Sequence, residues 1–96
     1  MKFDWDKGNW PKCGKHGLPK DEIEAVFEAS PHVLVDPENS HDEERYKAIG
    51  RNPKGRHVYV SFTIRTKKDV IHIRPISARY MHRKEIERYE QRPPKT

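Results

Sequence analysis

The run Ile76-Ser77-Ala78-Arg79-Tyr80-Met81-His82-Arg83-Lys84-Glu85-Ile86-Glu87-Arg88-Tyr89-Glu90 crowds guanidinium, imidazole, carboxylate and phenol groups into a short stretch. These groups suit a phosphodiester. The planar guanidinium fork bonds two phosphate oxygens at once, which is why arginine is favoured over lysine for that task. RNA is cleaved without a metal when the 2′-hydroxyl attacks its own phosphate. A base must take that hydroxyl's proton, cations must stabilise the charge gathering on phosphorus, and an acid must protonate the departing 5′-oxygen. Lys15, His16, Glu44, Arg45, Arg79 and Tyr89 are of the right kinds for these roles. Types alone leave a second reading open, a solvated amphipathic helix in which Glu85 and Glu87 pair with Arg88 and Lys84.

The other chemical candidates divide in the same way. His16, in Lys15-His16-Gly17, has the residue type for a general acid or base near neutrality. It equally fits a loop histidine bonded to backbone. Cys13 and His16 have the spacing of half a zinc site, but the chain has no second cysteine to complete one. No metal or other cofactor is expected. His41-Asp42-Glu43-Glu44-Arg45 with Asp36 and Glu38 could form a cation site. It lacks the ligand spacing and bend glycine of a calcium loop, and reads as an acidic loop entering a strand. On that strand Glu44 and Arg45 point to opposite sides, so only one faces any cleft shared with the terminal run.

With 96 residues and an apolar fraction of 32%, the chain supports one domain with a modest core, over residues 1–92, and a flexible tail at 93–96. No stretch approaches a membrane span, and the polar N-terminus lacks the apolar region of a signal peptide. The single cysteine forms no internal disulfide, so a reducing cytoplasm is the expected location. Charge is divided unevenly. Residues 1–50 carry 7 Lys/Arg against 11 Asp/Glu, net −4, and residues 51–96 carry 13 against 4, net +9. The basic half favours phosphate through Coulomb attraction and counterion release, with an acidic protein partner as the other reading.

The elements that would position these groups follow from patterning. Phe3-Asp4-Trp5 alternates as a short strand, and Gly8, Pro11 and Gly14 keep any helix after it brief. Pro19, Asp21 and Glu22 open a better helix, whose Ile23, Val26 and Phe27 form an i, i+3, i+4 core stripe before Ser30-Pro31 stops it. Strands are expected at His32–Val35, at Glu44–Gly50, at His57–Arg65 with Val58, Val60, Phe62 and Ile64 on one face, and at Val70–Ile76. Asn52-Pro53-Lys54-Gly55 marks a turn, and Pro75 implies an edge or a bulge. A helix from about Arg79 to Glu90, capped by Ser77, closes the chain, placing Arg79 and Arg83 on one face and Glu85 and Tyr89 on another. Ile86 and Met81 are its packing candidates. The fold class is α+β.

The order Phe3-Asp4-Trp5-Asp6, Asn9, Lys15-His16-Gly17, Val26-Phe27, Glu44-Arg45 with Gly50, Ile76-Ser77-Ala78-Arg79, then Glu85 and Tyr89 resembles the BrnT family of bacterial type II toxins across residues 3–90. The resemblance implies a RelE-like fold with N-terminal helices, an antiparallel sheet and a C-terminal helix. It implies a ribonuclease that halts translation, neutralised by a cognate BrnA-type antitoxin with a ribbon-helix-helix DNA-binding region. Promoter DNA would be met only through that antitoxin, and a membrane not at all. Carried to matching positions, the catalytic candidates are Lys15, His16, Glu44, Arg45, Arg79, Glu85 and Tyr89. Arg79 and Arg45 would hold phosphate, His16 or Lys15 would move protons, and Glu85 would act as a base or orient an arginine. Arg51, Lys54, Arg56, Arg83 and Arg88 are the expected further RNA contacts. The rival reading is a non-catalytic toxin homologue, serving as antitoxin partner and co-repressor or as a basic RNA-binding module.

Overall fold

The computed structural model describes residues 1–91, so the expected tail at 93–96 lies outside the described residues. The elements run α1 (Lys20–Glu28), β1 (His32–Val35), β2 (Tyr46–Arg51), β3 (His57–Lys67), β4 (Val70–Tyr80) and α2 (Arg83–Glu90), with single 3-10 turns at Lys12–Gly14 and Pro37–Asn39. The strands form one antiparallel sheet in the order β1-β2-β3-β4. The α+β class expected from sequence is therefore the one observed. Among the described residues no helix is long and apolar enough to cross a membrane.

The core lies between α1 and one face of the sheet. Ile23, Val26 and Phe27 of α1 are buried against Ala48, Val58, Val60, Phe62 and Ala78, with Leu18 and Cys13 from the preceding segment. Phe27 meets Phe62 edge to face at 5.0 Å, and Tyr46 stacks on Phe62 at 5.4 Å. Such pairs stabilise beyond the area they bury. At Gly50 a Cβ would stand 3.1 Å from a Val26 methyl, so the missing side chain lets α1 approach β2. Burial raises the Cys13 thiol to about 11, which leaves it an inert core group.

The N-terminal strand expected at Phe3–Trp5 shrinks to one parallel bridge, Phe3 beside Ile73. Side chains secure it instead. Arg74 binds Asp4 at 3.2 Å and Asp6 at 3.0 Å, and Asn9 donates to the carbonyls of Asp4 and Pro75. The spaced Asp4, Asp6 and Asn9 of the sequence are thus the fastening of the N-terminus to β4.

The terminal run departs most from expectation. It is not helical from Arg79: β4 continues to Tyr80, with Arg79 opposite Tyr59 and Tyr80 opposite Val58, and α2 begins only at Arg83. Ser77 is a strand residue opposite Ser61, and His82 is the N-cap, in a capping box closed by Glu85. Ladder bonds to β3 outweigh the local helix signals here, since they also keep Ala78 in the core. Pro75 sits at the expected bulge: Phe62 pairs with Pro75 but Ser61 pairs with Ser77, leaving Ile76 as the extra residue.

Candidate active site on the open face of the sheet

Strand alternation sends every second side chain away from α1. Two cross-strand rows result on the open face. One reads His32, Ile49, Tyr59, Arg79 from β1 to β4, and the next reads Leu34, Lys47, Ser61, Ser77. Helix α2 lies over the first row through specific contacts. Arg79 donates to both oxygens of Glu85 at 2.7 and 2.8 Å, a bidentate pair, while its guanidinium covers the Tyr59 ring at 4.6 Å. One turn further along α2, Tyr89 is hydrogen-bonded to His32 Nδ1 at 3.2 Å. His57 on β3 faces Glu90 at 3.9 Å.

These contacts set the charge states. The Arg79 bond, helped by the His82 backbone N–H, holds the Glu85 carboxyl down at about 2. A carboxylate that acidic is a weak base near neutrality. Glu85 instead binds Arg79 through both carboxylate oxygens, the contact that the second of its two expected roles requires. The same bond raises Arg79 above its already high value, so it is a permanent cation. Burial raises the Tyr59 phenol, reinforced by the Asp36 and Glu85 charges and opposed by Arg79. The buried Asp36 in turn lies 3.9 Å from Lys47.

The sequence candidates divide by face. Glu44 and Arg45 precede β2. Arg45 lies on the side of Lys47, opposite that of Tyr46, where its guanidinium meets Glu43 at 3.4 Å and its buried Nε has no hydrogen-bond partner. Together with Asn39, His41, Asp42 and Glu43 it lines a shallow pocket. Glu44 contributes its carbonyl, which accepts from Thr63 Oγ1 at 2.7 Å. Arg45, Arg79, Glu85 and Tyr89 are thus associated with one side of the sheet. Lys15 and His16 are exposed in the segment whose Cys13 packs on the other side, with the core. The Lys12–Gly14 turn just before them packs on β4, the strand that carries Arg79, and among the described residues no hydrogen bond or ion pair joins either of them to Arg79.

The expected RNA contacts come from the end of β2, the β2–β3 turn and α2. Arg51 ends β2, and Lys54 and Arg56 follow at the β2–β3 turn, with Arg56 stacked on Tyr80 at 3.5 Å. Arg83 and Arg88 lie exposed on α2, and Arg83 is 3.4 Å from Glu87. Arg79 and Arg83 share no helix face, since Arg79 is on a strand. Among the described residues no group of three or more His, Cys, Asp or Glu side chains could hold a metal ion.

Sequence reasoning placed His32, Lys47, Tyr59 and Ser61 only within expected strands, Asp36 with an acidic loop and Ser77 as a helix cap. The one available signal was alternation in His57–Arg65, which sets Tyr59 and Ser61 opposite the apolar face. Placing the others needed the register.

No curated protein matches the chain. A family model described as "Ribonuclease toxin, BrnT, of type II toxin-antitoxin system" matches residues 5–85, which run from Trp5 in the N-terminal clamp to Glu85 on Arg79. The chain accordingly belongs to the BrnT family of ribonuclease toxins from type II toxin–antitoxin systems.

Proposed function

We propose that this protein cleaves RNA in the cytoplasm by attack of a 2′-hydroxyl on the adjacent phosphate, without a metal, and that a BrnA-type antitoxin neutralises it. The observation that carries this reading is Arg79, a permanent cation oriented by Glu85 and partly open to solvent on a sheet face. Fixed donors aimed where charge develops are the largest part of most such catalysis. Arg79 binds the scissile phosphate and its pentavalent transition state, and Arg45 adds a second positive charge on the same side. Glu85 spends both oxygens on the end of the guanidinium, which leaves Nε–H and the outer N–H bonds for phosphate.

Proton transfer falls to His32 with Tyr89, the hydrogen-bonded pair on the Arg79 side. Lys15 and His16 remain the rival assignment. The single variants His32→Gln and His16→Gln separate them, since only the true proton carrier changes the pH–rate profile. An acidic antitoxin segment would cover Arg79 and Arg83, and repression of the promoter would run through the antitoxin's own DNA-binding region.

The decisive assay incubates purified protein with single-stranded RNA in excess chelator. The expected products carry 2′,3′-cyclic phosphate and 5′-hydroxyl ends, and a 2′-deoxy substitution at the scissile nucleotide abolishes them. Cleavage that requires a divalent ion, or leaves 5′-phosphate ends, overturns the mechanism. A folded chain that neither cleaves RNA nor arrests growth would instead be the antitoxin's partner and co-repressor.

A further inference from the structure

The row Leu34, Lys47, Ser61, Ser77 lies beside the one that α2 contacts, and its polar members are half-buried. Among the described residues neither the Ser61 nor the Ser77 hydroxyl bonds to another protein group. Half-buried hydroxyls without protein partners are open to a ligand's oxygen. Lys47 stands at the β1 side of this strip. The buried Asp36 holds it from behind at 3.9 Å, a distance that steers the ammonium without saturating its three donors. Strand spacing and rise put the Cα atoms of Lys47 and Arg79 roughly 12 Å apart, within reach of one extended RNA backbone from both side chains.

We infer that Lys47, Ser61 and Ser77 form a second phosphate subsite, which takes the phosphodiester next to the one held by Arg79. This inference rests on the ribonuclease reading above. Lys47 supplies the charge, the two hydroxyls bond the non-bridging oxygens, and Asp36 positions Lys47. The strip then sets the direction in which single-stranded RNA crosses the sheet, from Arg79 on β4 toward β2.

The test measures binding of a 2′-O-methyl single-stranded RNA oligonucleotide, which the 2′-hydroxyl mechanism cannot cleave, across a salt series. Wild type is expected to show a steep fall of affinity with salt. Lys47→Gln should weaken binding several-fold and flatten the slope by about 0.7, the value for one phosphate contact on a single strand. Lys47→Arg should restore the slope. The double variant Ser61→Ala, Ser77→Ala should weaken binding without changing it, because no ion is displaced. If wild type binds with a steep slope and Lys47→Gln leaves it unchanged, this subsite is wrong and the ribonuclease reading stands. If wild type does not bind RNA, both fall.

Discussion

Two arginines on β4 bind carboxylates from outside the sheet, and they do opposite work. Arg74 is 9% exposed and lies between Asp4 and Asp6 of the N-terminal segment. Arg79 is 36% exposed and takes one carboxylate, Glu85, from α2. The pairing chemistry is alike: in both cases hydrogen bonds to carboxylate raise the guanidinium above its ordinary value. Burial makes the difference. Around Arg74 there is no room for a ligand, and the ion pair fastens chain to chain. Around Arg79 solvent reaches the fork, and the pair aims a cation at whatever enters the open face. An arginine–carboxylate pair is thus no sign of a site until its exposure is known.

That contrast can be broken by substitution. Arg74→Ala should cost about 3 kcal/mol, because it leaves the buried Asp4 with Lys67 alone, and denaturant unfolding would show it. A negligible loss would mean that the N-terminal clamp is ornamental. Arg79→Ala should lower RNA cleavage about 100-fold, near 2.7 kcal/mol of transition-state stabilisation, and relieve growth arrest. Its stability should fall by less than about 1 kcal/mol, as for other part-exposed pairs. A folded Arg79→Ala variant that stays fully toxic would remove the proposed site.

Acid sharpens the comparison further. Glu85 sits at about 2 in the folded chain against an ordinary 4.5, so its contribution is complete above pH 4.5 and fades as pH falls toward 2. Glu85→Gln should erase that part of the acid sensitivity, an effect kept below about 1 kcal/mol by solvent screening. Urea unfolding at pH 7 and pH 3 for both proteins would measure it. Lys67→Ala, at the exposed edge of the N-terminal clamp, should cost least, about 0.5 kcal/mol, since Asp4 keeps Arg74. Thermal melts of that variant and Arg74→Ala together would rank the two partners of Asp4.

Much of the frame could be read directly from patterning. The α1 stripe, the alternation of β3 and the turn at Asn52–Gly55 are local signals, and the chain obeys them. The terminal run was misread because its local signals conflict with a distant one. Ser77 resembles a cap and the charges resemble a helix, yet Arg79 and Tyr80 are held in the sheet by Tyr59 and Val58. The candidate site was legible only in part for the same reason. Arg79, Arg45, Glu85 and Tyr89 stand out by type, whereas Lys47, Ser61 and His32 look like ordinary strand residues. Cross-strand register, which one sequence does not display, makes them neighbours. Lys15 and His16 are suitable by chemistry, and they follow the Lys12–Gly14 turn, whose packing on β4 the sequence does not display.

The extra residue at the bulge has a consequence for how this chain tolerates insertion and deletion. Positions 74 and 79 differ by an odd number, so on an uninterrupted strand their side chains would point to opposite sides. Ile76 shifts the phase by one and brings both arginines to the same side. Removing that single residue would leave every side chain in place by name and invert the parity of one half of β4. Either Arg79 would enter the core where Ala78 now packs, or Arg74 would lose its aspartates. The spacing between the two arginines is therefore as much a condition of the candidate site as Arg79 itself.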